Sequence, residues 1–388
     1  MSDTSPTRRF FHGTALALVG RAGAGLDAAA LPLLIWVYGA AAYGQFAAAF
    51  GVIKIAAAVA DLGMSTALQR HAAAMDLAQA RQIAGDALRA TAAAACGLAV
   101  LLAVALAIGS GTLLPAIPIA YLATLPALVL LEVATAAVRA TTRFGAEMRV
   151  RIGYEQALRL ALGLVFAGAG WTGMGLFLAH GLSCTLTAAM ALMLLARHYG
   201  TAPVDLLLRP GAPATELRAF AHSVWPLPIL RKAVGEGPVV LLALWAGPTA
   251  AAGFAVARKV ASVLTGLRLA VDYALAPVLS RHKDVASLLP TAQALMLRWA
   301  PAVAAGLVCA RQDILLIFGP VFAATGPAIL WLVLGRLVEA LLTPAMVAVE
   351  MTGRPWRPAG YTALGGGVIV AIAVAHSEMP AAAMAVVP

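Results

Sequence analysis

The stretch Asp61-Leu62-Gly63-Met64-Ser65-Thr66-Ala67-Leu68-Gln69-Arg70-His71 closes an apolar segment near the N-terminus. A second stretch, Asp272-Tyr273-Ala274-Leu275-Ala276-Pro277-Val278-Leu279-Ser280-Arg281-His282, closes another at a constant offset of 211 (272 − 61, 281 − 70 and 282 − 71). Further residues recur at offsets that drift from 209 to 207: Arg89 and Arg298, Gly97 and Gly306, Gly145 and Gly353, Arg149 and Arg357, Glu132 and Glu339. These matches predict two copies of one unit. Internal repeats in a membrane protein are typical of transporters, whose substrate site lies between the copies.

The composition predicts an all-α polytopic membrane protein. Hydrophobic residues make up 62% of the chain and charged residues only 11%, whereas a soluble domain has about 25% charged residues. Runs without any Asp, Glu, Lys or Arg extend over 90–131, 160–196 and 358–377, and a membrane-spanning helix needs about 20 apolar residues. The net charge of +10 does not indicate nucleic-acid binding, because the cations cluster at helix ends as topology signals do.

Hydropathy and turn residues predict about eleven transmembrane helices. They are expected near 12–38, 44–69, 88–108, 114–138, 154–170, 173–196, 219–246, 251–280, 290–310, 324–350 and 358–376. Cations concentrate in alternate loops, and Arg311 is the only cation in the other loops. The positive-inside rule therefore places the N-terminus in the cytoplasm and, with eleven spans, the C-terminus outside. We expect a bacterial cytoplasmic (inner) membrane protein with a retained first helix rather than a cleaved signal peptide.

The repeat predicts the domain organisation. An N-terminal six-helix bundle is expected over 1–200, a Pro-rich cytoplasmic linker over 201–216, and a C-terminal bundle of about five helices over 217–388. The residues after Ala381 are too few to span a membrane, so the second copy is expected to lack a counterpart of the sixth helix. An even number of helices in the first copy makes the two bundles parallel.

Several ionisable side chains fall at predicted membrane depth, where they are costly and mark functional sites by default. Some can be neutralised within their own helix, because residues three or four apart share a face. Such pairs are Lys232 with Glu236, Arg268 with Asp272, and Arg336 with Glu339. We assign Asp27, Asp61, Lys232, Glu236, Arg268 and Asp272 as possible coupling or gating residues.

Other cations are harder to neutralise locally. Arg21 follows Arg9 by twelve residues, which is about 18 Å along a helix. The adjacent Arg258 and Lys259 have no acidic residue within a turn. These residues belong to the first two helices of each copy, so we expect a basic cavity between the copies. Arginine and lysine suit a phosphate or diphosphate, and the predicted substrate-binding set is Arg21, Lys54, Arg231, Arg258 and Lys259.

The chain resembles the polysaccharide transporter family, the O-antigen flippases of the multidrug/oligosaccharidyl-lipid/polysaccharide (MOP) exporter superfamily. The resemblance rests on Tyr43-Gly44-Gln45-Phe46, Asp61-Leu62-Gly63, Arg70 and Gly253-Phe254. It implies two helix bundles forming a V that alternately open a central cavity, and a polyprenyl-diphosphate-linked oligosaccharide as substrate. It also implies that cations in the early helices of each bundle bind the diphosphate. Other polysaccharide-assembly membrane proteins are possible partners, and no cofactor is implied.

Two other functions are weighed against flipping of a lipid-linked glycan. A cation-coupled multidrug exporter of the same superfamily would favour membrane carboxylates over cations. A membrane glycan polymerase or ligase would need acid and base groups in a sizeable outward loop, and the outward loops here are short. We therefore expect no enzyme and no catalytic residues. Cys96, Cys184 and Cys309 lie in apolar runs without CxxC spacing, so no metal site is predicted, and His180 and His222 are expected to pack or lie at an interface.

Overall fold

The computed structural model describes residues 22–72, 75–108, 117–140, 149–208, 215–282, 285–351 and 360. All regular elements within these ranges are helices, which confirms the all-α class. Contacts between helices divide the chain into two units. The first unit is Ala29–Ala251, and the second comprises Ala252–Pro388 together with Met1–Ala28.

Within the described ranges, the first unit contains ten α-helices. In chain order they are α1 (Ala22–Tyr38), α2 (Ala40–Ala60), α3 (Met64–His71), α4 (Leu77–Ile108), α5 (Thr124–Ala140), α6 (Glu155–Gly168), α7 (Gly175–His198), α8 (Pro203–Leu208), α9 (Thr215–Val224) and α10 (Pro226–Trp245). A 3₁₀ turn, Ile119–Ala123, precedes α5, and a π-helix, Arg149–Tyr154, precedes α6. Most of α1 and all of α2–α10 belong to this unit.

The second unit contains the C-terminal helices. These are α11 (Pro248–His282), whose first residues lie in the first unit, α12 (Val285–Cys309), α13 (Arg311–Phe318) and α14 (Gly326–Met351). A 3₁₀ turn, Pro320–Thr325, precedes α14. Helix α11 approaches this turn closely, because a Cβ on Gly253 would lie 2.9 Å from Oγ1 of Thr325.

Seven segments of the described chain are long and apolar enough to cross a membrane. They are Ala40–Ala60, Leu77–Ile108, Ile119–Arg139, Gly175–His198, Pro248–Leu269, Leu289–Cys309 and Pro320–Met346, and each overlaps a predicted span. Three other predicted spans correspond to α1 and α6, which have 17 and 14 residues, and to α10, which contains Arg231, Lys232 and Glu236. The predicted helix at 358–376 lies outside the described residues apart from residue 360. The chain is thus a multi-pass membrane protein.

The predicted helix at 44–69 is interrupted in the structure. Helix α2 ends at Ala60, and Leu62 and Gly63 take left-handed φ angles of 53° and 74° before α3 begins. Glycine tolerates this conformation because it lacks a Cβ. The apolar run continues through the break, so hydropathy predicts one helix where the backbone forms two.

Small residues allow close packing in the first unit. Helix α5 packs against α7, and α2 packs against α10. At the second of these interfaces, a Cβ on Gly51 would lie 3.1 Å from Cγ2 of Val240, so α10 sits directly on the glycine. Small residues favour such helix contacts in a membrane, where van der Waals packing replaces the hydrophobic effect.

Helix α8 lies in the predicted linker, and α9 begins at its end and extends beyond it; both helices pack against other helices of the first unit. Leu206 of α8 is buried, and its carbonyl oxygen accepts a hydrogen bond from Nη1 of Arg89 at 3.3 Å. Leu217 and Ala221 of α9 are also buried, whereas residues 209–214 lie outside the described ranges. The predicted division into 1–200, 201–216 and 217–388 stays a prediction. Helix α10, which that division assigns to the C-terminal bundle, packs with the first unit.

Candidate functional site

An ion pair joins α2 to α10 in the first unit. Lys54 Nζ lies 3.0 Å from Oε1 of Glu236, and the two side chains are 24% and 12% exposed. Gly51, one turn before Lys54, brings the helices close enough for this contact. The sequence predicts Lys54 as a cation of the substrate cavity, and the structure places its charge against a carboxylate of the same unit.

A second pair ties α10 to α5. Lys232 Nζ lies 3.8 Å from Oε1 of Glu132. The sequence pairs Lys232 with Glu236 along α10, and the structure gives each of them a contact with another helix. Helix α10 therefore forms two ion pairs with neighbouring helices, one through Glu236 and one through Lys232. Its third ionisable residue, Arg231, is exposed.

An aromatic layer leads from the ion pair into the core. Lys54 Nζ lies 4.0 Å from the centroid of the Phe50 ring, which suits a cation–π contact. The Phe50 ring is 4.2 Å from the ring of His180, centroid to centroid. Phe46 and Phe177 also pack around Tyr121, and Phe46 contacts His180.

His180 is the centre of a buried polar cluster. Its Nδ1 lies 2.8 Å from the Tyr121 hydroxyl and its Nε2 lies 3.3 Å from Sγ of Cys184. Glu155, the first residue of α6, brings one carboxylate oxygen within 4.8 Å of the histidine and cysteine ligand atoms. His180 and Cys184 have no exposed surface and Glu155 is 7% exposed.

Sequence reasoning missed this cluster. It expects His180 to pack or lie at an interface, and it predicts no metal site at Cys184. The available signal is the spacing of four between them, which places both side chains on one face of α7. No sequence signal points to Glu155, because its proximity depends on how α6 packs against α7.

Three of the predicted residues have described side chains in the second unit. Arg258 and Lys259 are half-buried in α11. Arg268, also in α11, places Nη1 2.9 Å from Oε1 of Glu339 in α14, and Arg336 binds the other oxygen of the same carboxylate. The predicted pair of Arg336 with Glu339 is confirmed. The side chain of Asp272, the predicted partner of Arg268, lies outside the described residues, as do Arg21 and the side chain of Asp27.

Asp61 caps the break between α2 and α3. Oδ1 accepts a hydrogen bond from the Ser65 hydroxyl, and Oδ2 accepts one from the Ser65 amide at 3.3 Å. The residue follows the apolar segment Ala40–Ala60 directly. Burial raises the pKa of its carboxyl group from 3.8 to about 6, with the Ser65 hydrogen bonds opposing that rise and the charge of Glu132 adding to it.

Comparisons with solved structures identify the fold. A MOP-superfamily transporter from Pyrococcus furiosus aligns with a TM-score of 0.62 at 18% identity, over 98% of this chain and 94% of its own. That transporter is described as having a binding pocket of reverse polarity, which suggests a different function. An inward-facing multidrug resistance MATE transporter aligns with 0.60 at 20% identity, over 84% and 82%. An outward-facing one aligns with 0.56 at 17% identity, over 98% and 97%. The sequence matches no protein-family profile and no curated protein. The chain therefore has the fold of the MATE transporters of the MOP superfamily.

Proposed function

We propose that the protein is an alternating-access exporter that moves a polyprenyl-diphosphate-linked oligosaccharide across the bacterial cytoplasmic membrane for polysaccharide synthesis. On this proposal it is a transporter rather than an enzyme. Its partners are the lipid-linked glycan, the bilayer and other membrane proteins of polysaccharide assembly. The fold supports transport, and the charges of α11 support an anionic substrate.

The observation that carries the substrate class is the excess of positive charge in α11. Arg258 and Lys259 lie in its apolar segment Pro248–Leu269, where they are half-buried. The sequence has no Asp or Glu from Pro248 to Val271. Two adjacent cations at membrane depth are costly, and a diphosphate would offset that cost with charge-assisted hydrogen bonds.

The ion pairs of the first unit affect how readily each predicted cation can contact a substrate anion. Lys54 is bound by Glu236, and Lys232 lies near Glu132. A substrate anion would therefore have to compete with Glu236 for Lys54. We assign the diphosphate contact first to Arg258 and Lys259, because they are adjacent cations in one apolar segment and can both contact a diphosphate, with Arg21, Lys54 and Arg231 as secondary contacts.

A cation-coupled multidrug exporter is the second candidate. It is favoured by the two aligned multidrug resistance transporters and by membrane carboxylates such as Glu236. In that function the Lys54–Glu236 pair would open to release a carboxylate to a coupling ion. The reverse pocket polarity described for the Pyrococcus furiosus transporter is a precedent for a different substrate charge on the same fold.

The test is transport by the purified full-length protein in proteoliposomes. One arm uses a fluorescent lipid-diphosphate oligosaccharide and the other a fluorescent cationic drug with an imposed proton or sodium gradient. The variants are Arg258→Gln and Lys259→Gln. The matched control is Arg298→Gln, which removes one positive charge from an exposed position of α12.

The proposed function predicts translocation of the lipid and at least a tenfold loss in each α11 variant, because a charge-assisted hydrogen bond contributes about 1.5–3 kcal/mol. Arg298→Gln should transport at the wild-type rate. Transport of the drug alone would favour the second candidate. Lipid transport that is equal in all variants would overturn the assignment of Arg258 and Lys259.

A further inference from the structure

Three metal-ligating side chains meet in the interior of the first unit. Glu155, His180 and Cys184 each offer one ligand atom, and these atoms all lie within 4.8 Å of one another. All three residues are buried. We infer that this cluster is a binding site for a divalent transition-metal ion of the zinc class, independent of the substrate that the protein carries.

The orientation of the histidine supports the assignment. The Tyr121 hydroxyl lies 2.8 Å from Nδ1 of His180, so Nδ1–H can donate to the tyrosine oxygen and leave the lone pair of Nε2 for a metal ion. Metal-binding histidines commonly hold their second ring nitrogen in a hydrogen bond of this kind. Nε2 faces the Cys184 sulfur at 3.3 Å. In a tetrahedral zinc site, a nitrogen and a sulfur ligand are about 3.6 Å apart, so these two ligand atoms are already close to the separation that a metal ion requires, and the Glu155 oxygen, within 4.8 Å of them, would move inward on binding.

The ligand types determine which metal would bind. Thiolate and imidazole ligands favour zinc and similar transition metals over Mg²⁺ and Ca²⁺, which prefer oxygen. On binding, the Cys184 thiol releases its proton to solvent and the sulfur donates an electron pair to the ion, with no change of oxidation state. The carboxylate and the thiolate then balance the two charges of the metal. This neutrality reduces the cost of holding the ion among apolar helices.

The position of the cluster indicates what the metal would do. Glu155 begins α6 directly after the π-helix Arg149–Tyr154, and His180 and Cys184 belong to α7. A bound ion would therefore cross-link two neighbouring helices. π-Helical segments are rare and frequently lie at functional sites. Three protein ligands would leave a fourth coordination position open for water or another group.

The experiment uses the full-length protein, purified in detergent without a histidine tag and stripped with a chelator, and titrates it with Co²⁺ as a spectroscopic substitute for Zn²⁺. The expected result is one equivalent bound, with visible bands of tetrahedral cobalt and a near-ultraviolet sulfur-to-cobalt charge-transfer band. One equivalent of Zn²⁺ should remove both. The Cys96→Ser/Cys309→Ser variant is the matched control, because both cysteines are exposed and Cys184 is then the only cysteine.

Cys184→Ser should lose the charge-transfer band, and Glu155→Gln should weaken Co²⁺ binding at least tenfold. Tyr121→Phe, which removes only the hydrogen bond to His180, should weaken it by about tenfold. The site is overturned if the wild type shows no charge-transfer band, or if a folded Cys184→Ser protein keeps it. Should Cys184→Ser fail to fold, the Cys96→Ser/Cys309→Ser protein decides alone, since its band can come from Cys184 only.

Discussion

At the scale of single residues, the interior of the first unit is organised by charges that neutralise one another between helices. Lys54 and Glu236 are 182 residues apart in sequence and form a hydrogen-bonded ion pair. The lysine also contacts the Phe50 ring. Removing one partner of a largely buried pair leaves the other charge poorly solvated, which is the main cost of breaking it.

The pair can be tested by exchanging its charges. Lys54→Met and Glu236→Gln should each destabilise the protein by about 2 kcal/mol, which lowers Tm by several degrees. The double variant Lys54→Glu/Glu236→Lys should recover most of that loss, because the opposite charges again face each other. Thermal unfolding in detergent measures all three. An exchange variant that is no more stable than the single variants would contradict a direct pairing. Arg298→Met, at an exposed position, is the control for loss of a positive charge.

Which residues are ionisable at membrane depth could be read from the sequence, but their partners could not. Residues three apart on one helix are predictable, as Arg336 and Glu339 illustrate. The partner of Lys54 depends on how α10 packs on α2, and nothing in the local sequence of α2 contains that information. The same holds for Glu155, His180 and Cys184, where only the spacing within α7 was available. The assignment of Lys54, Arg231, Arg258 and Lys259 to substrate stays a prediction.

At the scale of elements, the break between α2 and α3 is where α9 packs. Gly63 has a left-handed φ of 74°, and a Cβ there would lie 2.2 Å from the carbonyl oxygen of Ala221. Around this contact, the Arg70 guanidinium lies 4.4 Å from the Phe220 ring centroid and Trp225 Nε1 donates to the Val59 carbonyl oxygen at 2.9 Å. The break therefore changes the direction of the chain and provides the surface against which α9 packs.

Gly63→Ala should detach α9 from α3 and the break before it. The substitution forces a Cβ into the Ala221 backbone and costs at least about 1 kcal/mol for the left-handed conformation alone. Gly170→Ala is the matched control, since Gly170 has a φ of 81° and no atom within 4 Å of the added Cβ. Limited proteolysis should cut the segment around 199–225 faster in Gly63→Ala only. Equal cleavage of both variants would show that the contact with Ala221 does not hold α9.

The sequence predicts most long helices and misses the short ones for a physical reason. Hydropathy reports the apolar surface of a helix, so it locates α4, α7 and α12 but cannot detect the left-handed turn inside 44–69. It also reads 201–216 as a linker, because Pro203, Pro210 and Pro213 are typical of one. Pro203 instead begins α8, as proline readily does at the first position of a helix.

At the scale of the whole molecule, the orientation in the membrane rests on the distribution of cations between alternate loops. The loop at residues 169–174 between α6 and α7 has no Lys or Arg, whereas residues 197–218 carry Arg197, Arg209 and Arg218. The positive-inside rule therefore predicts that the first of these segments is outside and the second cytoplasmic. This prediction is independent of which substrate is carried.

Single introduced cysteines test it in intact cells. The background is Cys96→Ser/Cys309→Ser, which leaves Cys184 buried. Thr172→Cys and Ala202→Cys each place a thiol at an exposed position on one side. A membrane-impermeant maleimide should label Thr172→Cys in intact cells, but Ala202→Cys only after the membrane is permeabilised. The reverse labelling pattern would show that the protein has the opposite orientation, with its N-terminus outside. Labelling of both in intact cells would mean that the two segments do not flank a membrane span, and because α7 is the helix that separates them, its assignment as a span would be wrong.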